Sequence, residues 1–142
     1  MSAEYIIEEV RRFIGWSSKK IELHFSVRPG LYFYEREVWW ASLGENIGSE
    51  ENGKNYNFER PVIIVKKFSK DVLFIIPTTS GLKEGTWYHP VECEGIISRA
   101  VLVQARTISA KRLIRKIGLL PVDQFELLHA AFIDLIKTNT PA

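Results

Sequence analysis

The sequence predicts a mainly-β or α+β domain: a small barrel of short strands with a helix at its C-terminal end and a helical segment added in front. Three observations carry this. Short apolar runs separated by turn residues begin at Glu37 and continue to Leu120, the pattern of compact β structure. The segments on either side of that region show apolar residues at helical spacing instead. Strands and helices are therefore segregated along the chain, which argues against an alternating parallel βαβ fold. With 142 residues the chain lies within the usual range of one domain.

The leading "AEYIIEEVRRFIGW" places Ile6, Ile7, Val10, Phe13 and Ile14 at helical spacing with charged residues between them, so it reads as an amphipathic helix. Gly15 is expected to interrupt it. The helical pattern resumes through "SSKKIEL" and stops at Pro29-Gly30. Residues 1–36 thus read as an N-terminal helical extension, and residues 37–142 as the barrel domain. Candidate strands follow at 37–43, 61–68, 72–77, 86–91, 95–104 and 115–120, with "FSKDV" short enough for a hairpin turn. Two connections are long and polar, the one before Arg60-Pro61 and "TTSGLKEG", and such loops on a rigid sheet tend to carry function. The final "PVDQFELLHAAFIDLIK" aligns Phe125, Leu128, Phe132, Leu135 and Ile136 on one face, with Asp123 and Glu126 early and Lys137 late. That charge order suits a helix dipole, and the apolar face should pack on the sheet.

Composition excludes several classes. With 46% hydrophobic and 25% charged residues the chain is neither disordered nor fibrous. No apolar run approaches the roughly 20 residues of a membrane helix, and nothing near the N-terminus resembles a secretory signal. The chain is therefore read as cytoplasmic, with no membrane partner. A single cysteine, Cys93, allows neither an intramolecular disulfide nor a thiolate cluster. His24, His89 and His129 lie in separate elements, and the phosphate-loop, dinucleotide, metalloprotease and nucleophile-elbow motifs are absent. No metal and no cofactor are expected.

The net charge of +2 is unevenly placed. Residues 1–52 hold 6 basic and 9 acidic groups, residues 53–142 hold 13 and 8. No acid lies between Glu94 and Asp123, where Arg99, Arg106, Lys111, Arg112, Arg115 and Lys116 all fall. Such a run is either a solvated face or a surface that meets phosphate.

Strand ends deliver a set of polar residues: Glu50 and Arg60 from the first long connection, Thr78, Thr79 and Ser80 from the second, and Gln104 and Arg106 after a third strand. A guanidinium and several hydroxyls on one edge would bind phosphate well, because the fork donates in a plane and each hydroxyl donates or accepts. Singly, each residue has a plainer reading as a turn former, a backbone partner or a rim charge.

The order of motifs resembles the PemK/MazF family of toxin endoribonucleases over about 100 residues, Glu37 to Ile136. The motifs are Glu37-Val38-Trp39, Gly48-Ser49-Glu50, Arg60-Pro61, Pro77-Thr78-Thr79-Ser80, Gln104-Ala105-Arg106-Thr107 and Lys111-Arg112-Leu113 through Gly118. The resemblance implies an SH3-like, PemK/MazF-type barrel, a homodimer, the toxin of a type II toxin-antitoxin system. It implies metal-independent cleavage of single-stranded RNA to 2′,3′-cyclic phosphate and 5′-OH ends, and a cognate antitoxin protein as partner. It ties Arg60 and Thr79 to catalysis and lines the RNA groove with Glu50, Ser49, Thr78, Ser80, Gln104 and Arg106. Glu50, the carboxylate nearest these residues in motif order, is the candidate general base.

Three departures from the family pattern stand out. Glu51 replaces a glutamine, and about five extra residues precede Arg60. Val103 stands where some members carry an acid. The segment 1–36 lies outside the shared core, where stabilising a dimer, covering a groove or touching the antitoxin are all open to it. Alternative functions are a non-catalytic RNA- or protein-binding barrel and a toxin acting on a protein target.

Overall fold

The computed structural model describes residues 1–81 and 83–138. Leu82, in the second polar connection, and residues 139–142, at the end of the expected barrel domain, lie outside them. The chain folds as helix α1 (Ala3–Phe25), strands β1 (Glu37–Ser42), β2 (Glu59–Lys67), β3 (Val72–Thr79), β4 (Tyr88–Cys93), β5 (Ile96–Val101), β6 (Arg106–Ser109) and β7 (Leu113–Leu119), and helix α2 (Val122–Lys137). All strand pairs are antiparallel, and the path runs β4-β5-β3-β2-β1-β7, with β6 on β3. The expected mainly-β fold with a helix at each end is present. Its sheet is open, since β4 and β7 end the path without pairing to each other among the described residues.

The unalternating apolar runs of β2 and β3 have a physical cause: both faces of the central sheet are buried. Trp39, Ala41, Val62, Ile64, Leu73 and Ile75 point to one core with Phe33, Ile108 and Leu113. Val38, Ile63, Val65 and Ile76 point to the other, which β4, β5 and α2 cover. α2 supplies buried Leu128 to this second core, with Phe125, Phe132 and Leu135 packed against it, as its spacing predicts. Ile136, expected on the same face, is exposed. The β4–β5 hairpin turns on Glu94-Gly95, both at positive φ (52° and 76°), the backbone that a two-residue type I′ turn requires.

α1 departs from its expected orientation. It runs unbroken through Gly15, and Ile6, Ile7, Val10, Phe13 and Ile14 all remain exposed. The side that docks carries Arg12, Gly15 and Trp16 instead. Trp16 is buried against Gly44, with its ring centroid 5.4 Å from that of Phe58.

Glu37, at the start of β1, is a buried carboxylate with three donors: Lys116 Nζ at 2.8 Å, the Tyr34 amide at 2.8 Å and Trp39 Nε1 at 3.0 Å. Burial alone would push its pKa up, but Lys116, Trp39 and Tyr34 together outweigh that and hold it below 4.5. A carboxyl depressed in the folded state stabilises the fold above its unfolded pKa, and this contribution fades as the pH falls through the folded value. Glu37→Gln should therefore flatten the acid side of the stability–pH curve below about pH 4.5. Urea midpoints measured across that range check this, and parallel curves for the two proteins would refute it.

Candidate functional site

β2 begins earlier than its apolar run suggests. Glu59 and Arg60 already pair with Ser42 and Ala41 of β1, and a bridge from Lys54 to Glu59 closes the base of the preceding connection. Arg60-Pro61 therefore lies inside a central strand. Proline fits there in φ but removes one ladder donor, and the guanidinium stands on rigid backbone.

Arg60 is only 8% exposed. Its Nε donates to the Asn52 carbonyl (2.7 Å), its Nη1 to the Thr78 carbonyl (3.2 Å), and its Nη2 lies 2.8 Å from Glu51 Oε1. Every guanidinium nitrogen thus has a partner, and the remaining N–H donors of the fork are uncommitted. The ion-pair partner of Arg60 is Glu51, the residue that departs from the family pattern. Spacing gave no sign of this pairing, because it depends on how the 43–58 connection folds back.

That connection is tied down at many points. Asn46 donates from its backbone amide to Asn52 Oδ1 (2.6 Å) and from Nδ2 to the carbonyls of Leu43 and Glu51. Gln104 reaches across from the segment after β5, accepting from the Glu51 amide (3.1 Å) and donating to the Ser49 carbonyl (3.1 Å). Gly53 donates to the Gly44 carbonyl at 2.8 Å. Phe58 holds a left-handed backbone (φ 51°), an outlier for a bulky residue, with its ring near both Trp16 and the Arg12 guanidinium.

Two cavities meet at the Arg60–Glu51 pair. One, of about 340 Å³, is mostly apolar, walled by Val38, Trp40, Ile63, Val91, Ile117 and Leu120, with Arg60, Thr78, Ser80 and Ser98 among its polar members. The other, of about 510 Å³, is polar and lined by Glu50, Glu51, Gln104, Arg106 and Asn46. The candidate residues are thus divided between them. Glu50 is exposed and its Oε1 accepts the Ile47 amide (2.9 Å). Thr78 is buried and donates to the Pro61 carbonyl (3.2 Å), so its hydroxyl serves the sheet. Thr79 is half-buried, lies opposite Arg99 of β5 and accepts the Gly81 amide at 3.4 Å, without lining either cavity. Ser49 contributes its carbonyl to Gln104 and is exposed.

The adjacent tryptophans face opposite ways, as alternation on a strand demands. Trp39 is core, and Trp40 lines the apolar cavity with the Arg115 guanidinium 5.0 Å from its ring centroid. Cys93 also lines this cavity. Burial, then the charge of Glu94, pushes its thiol up, so it is a poor nucleophile at neutral pH.

Much of the acid-free basic run is consumed internally. Arg115 pairs with Glu59 (3.0 Å), Lys116 with Glu37, Lys111 with the His24 carbonyl, and Arg112 with the carbonyls of Ser42 and Leu43. The Arg106 side chain has no ion pair or hydrogen bond among the described residues and opens on the polar cavity. Burial, with the charge of Arg106 second, lowers the Arg112 guanidinium to about 10. The surroundings of Arg112 therefore disfavour its positive charge. Among the described residues no three His, Cys, Asp or Glu side chains converge to hold a metal ion, and no helix is long and apolar enough to cross a membrane.

Comparison with solved structures shows the same fold at low identity. MazF from Deinococcus radiodurans superposes with a TM-score of 0.62 at 14% identity, covering 76% of this chain and all of that one. The Mycobacterium tuberculosis toxin MazF-mt6 gives 0.55 at 19% identity, covering 74% of this chain and all of that one. An endoribonuclease from a mycobacterial species, in complex with its cognate antitoxin, gives 0.59 at 11%, covering 78% of this chain and all of that one. No curated protein matches the sequence. The family model of the PemK-like, MazF-like toxins matches residues 34–136. Spanning most of the sequence and all seven strands, that match shows that this chain belongs to the PemK-like, MazF-like toxin family of type II toxin-antitoxin systems.

Proposed function

We propose that the protein is an endoribonuclease of this toxin family, cutting single-stranded RNA without a metal ion. The observation that carries the reading is a buried guanidinium on a central strand, set against a carboxylate at the rim of a polar cavity. Phosphodiester cleavage by the RNA's own 2′-OH needs a base for that proton and a cation for the charge that builds on the phosphorane. Arg60 suits the second role, since it stays protonated at neutral pH and its environment is preorganised. Arg106 and Gln104 line the path of the strand, where unstacked bases would be read at their edges. Thr79 orients the phosphate, and Ser49, Thr78 and Ser80 border the groove.

The base is one of two adjacent carboxylates. Glu50 lines the polar cavity with its Oε1 turned back to the Ile47 amide. Glu51 stands directly against Arg60, and we assign the role to it. The base takes the 2′-OH proton, the 2′-oxygen attacks phosphorus, and the P–O5′ bond breaks as the 5′-oxygen takes a proton from solvent water. The products are a 2′,3′-cyclic phosphate and a 5′-OH. A cognate antitoxin, a homodimeric state, a cytoplasmic location and a barrel unit of residues 37–142 preceded by an extension belong to the same reading. It is supported by the mycobacterial endoribonuclease of this fold having been solved with its antitoxin.

Incubation of the protein with a long single-stranded RNA in EDTA should yield discrete fragments ending in 2′,3′-cyclic phosphate. Glu51→Gln should lower the rate roughly 10²-fold or more, whereas Glu50→Gln should retain most of the activity. The reverse pattern returns the role to Glu50. RNA that is bound but left intact by the wild type would instead make this a non-catalytic binding barrel.

A further inference from the structure

The loop that carries Glu51 is held from outside the family-matched region as well as from within it. Arg12, on α1, spreads its guanidinium over three acceptors: Glu45 Oε2 at 3.2 Å from Nε, the Asn55 carbonyl at 2.9 Å from Nη1 and the Gly53 carbonyl at 3.3 Å from Nη2. Its flat face lies 3.9 Å from the Phe58 ring centroid. Only the planar fork of arginine can serve a carboxylate, two carbonyls and an aromatic face at once. Glu45 is a buried carboxylate, its side chain 7% exposed, and its other oxygen accepts from Asn52 Nδ2 (3.3 Å). The carbonyl of Asn52 in turn accepts from Arg60 Nε, and the preceding residue, Glu51, closes on Arg60 Nη2. The contacts form one unbroken path, Arg12 to Glu45 to Asn52 to Arg60 to Glu51.

We propose that Arg12 is a positioning residue, through which α1 holds the 43–58 connection in the arrangement that sets Glu51 against Arg60. The family match begins at residue 34, so the clamp comes from a segment outside it, and its three polar contacts are all on the connection before Arg60. A loop lengthened at this place has more conformations to lose on ordering. An anchor at its middle offsets that cost, and Trp16 seals the base of the loop against Gly44. The effect on the loop stands on geometry alone, and the effect on rate rests on the nuclease reading above.

The test uses the full chain with Arg12→Met and, from the loop side, Glu45→Gln. Amide hydrogen exchange across residues 44–58 should speed up roughly tenfold or more in both variants, with the strands of the central sheet protected as in the wild type. With RNA as substrate, Arg12→Met should lower kcat roughly ten- to a hundredfold with little change in KM. On a Glu51→Gln background the same change should cost almost nothing further, because Arg12 acts through Glu51. Unchanged protection of the loop, or exchange raised equally through the whole sheet, overturns the clamp. An equal loss of kcat with and without Glu51 overturns the positioning role. If the loop loosens as expected while the wild type cuts no RNA, the clamp stands and the nuclease reading falls.

Discussion

Arg60→Ala is expected to lower the rate of RNA cleavage roughly 10²- to 10³-fold, the size of effect seen when a preorganised charge-stabilising donor is removed. Alanine also leaves the Asn52 and Thr78 carbonyls without their donor and Glu51 as a carboxylate without its cation. These losses should destabilise the fold by about 2 kcal/mol, less than for a fully buried pair because the Glu51 side chain is 23% exposed. The two effects separate in Arg60→Lys. An ammonium restores charge but cannot reach two carbonyls, Glu51 and a phosphate from one position. Stability should recover in part while cleavage stays low. Initial rates on a short RNA in EDTA, with thermal melts of the same preparations, decide the matter. Cleavage by Arg60→Ala within a few-fold of wild type would remove Arg60 from the chemistry.

The second large effect falls on a residue with no functional group. A Cβ on Gly53 would stand 1.6 Å from the Phe58 carbonyl oxygen and 2.6 Å from the Glu59 nitrogen, both backbone atoms. Neither can move aside alone, because Phe58 O accepts the amides of Leu43 and Gly44, and Glu59 exchanges two 2.8 Å bonds with Lys54. Gly53→Ala must therefore open the bridge at the base of the loop, and with it the Gly53–Gly44 bond and the seat of Asn52 against Arg60. A loss of roughly 3 kcal/mol or more is expected, which for a domain of this size lowers Tm by roughly 10 °C. Gly48→Ala, in the same loop, is the control. Gly48 has φ 57° but nothing within 4 Å of the added carbon, so only the left-handed backbone opposes the change, at about 1 kcal/mol. Equal melting temperatures for the two variants would show that close approach at Gly53 does not constrain the loop.

Much of the fold was legible because burial leaves a local mark. "VIIV" and "LFII" read as strands, and both faces of β2 and β3 prove to be covered. α2 was legible from one apolar stripe, of which Ile136 alone stays outside the core. β6, only Arg106–Ser109, was not, since four residues with one buried apolar side chain carry no period. α1 was legible as a helix but not in its orientation. Its strongest apolar stripe faces outward, and the docking side is set by Arg12 and Trp16, whose partners lie in the 44–58 stretch. Of the candidate residues, Arg60 read as the end of the long connection and proves to lie inside β2, paired with Ala41. Glu51, the departure from the family pattern, holds it.

The sequence by itself determined the class of fold, the family and the order of the elements other than β6, because apolar period, turn residues and motif spacing are properties of neighbours along the chain. Only the tertiary structure decided which carboxylate meets Arg60, which hydroxyls serve the sheet, and that a helix outside the family-matched span grips the loop. Those contacts join residues far apart in sequence, Arg12 to Glu45 and Gln104 to Glu51 among them. They depend on side-chain direction and on the path of a polar connection, and neither leaves a periodic trace in the residues that make it.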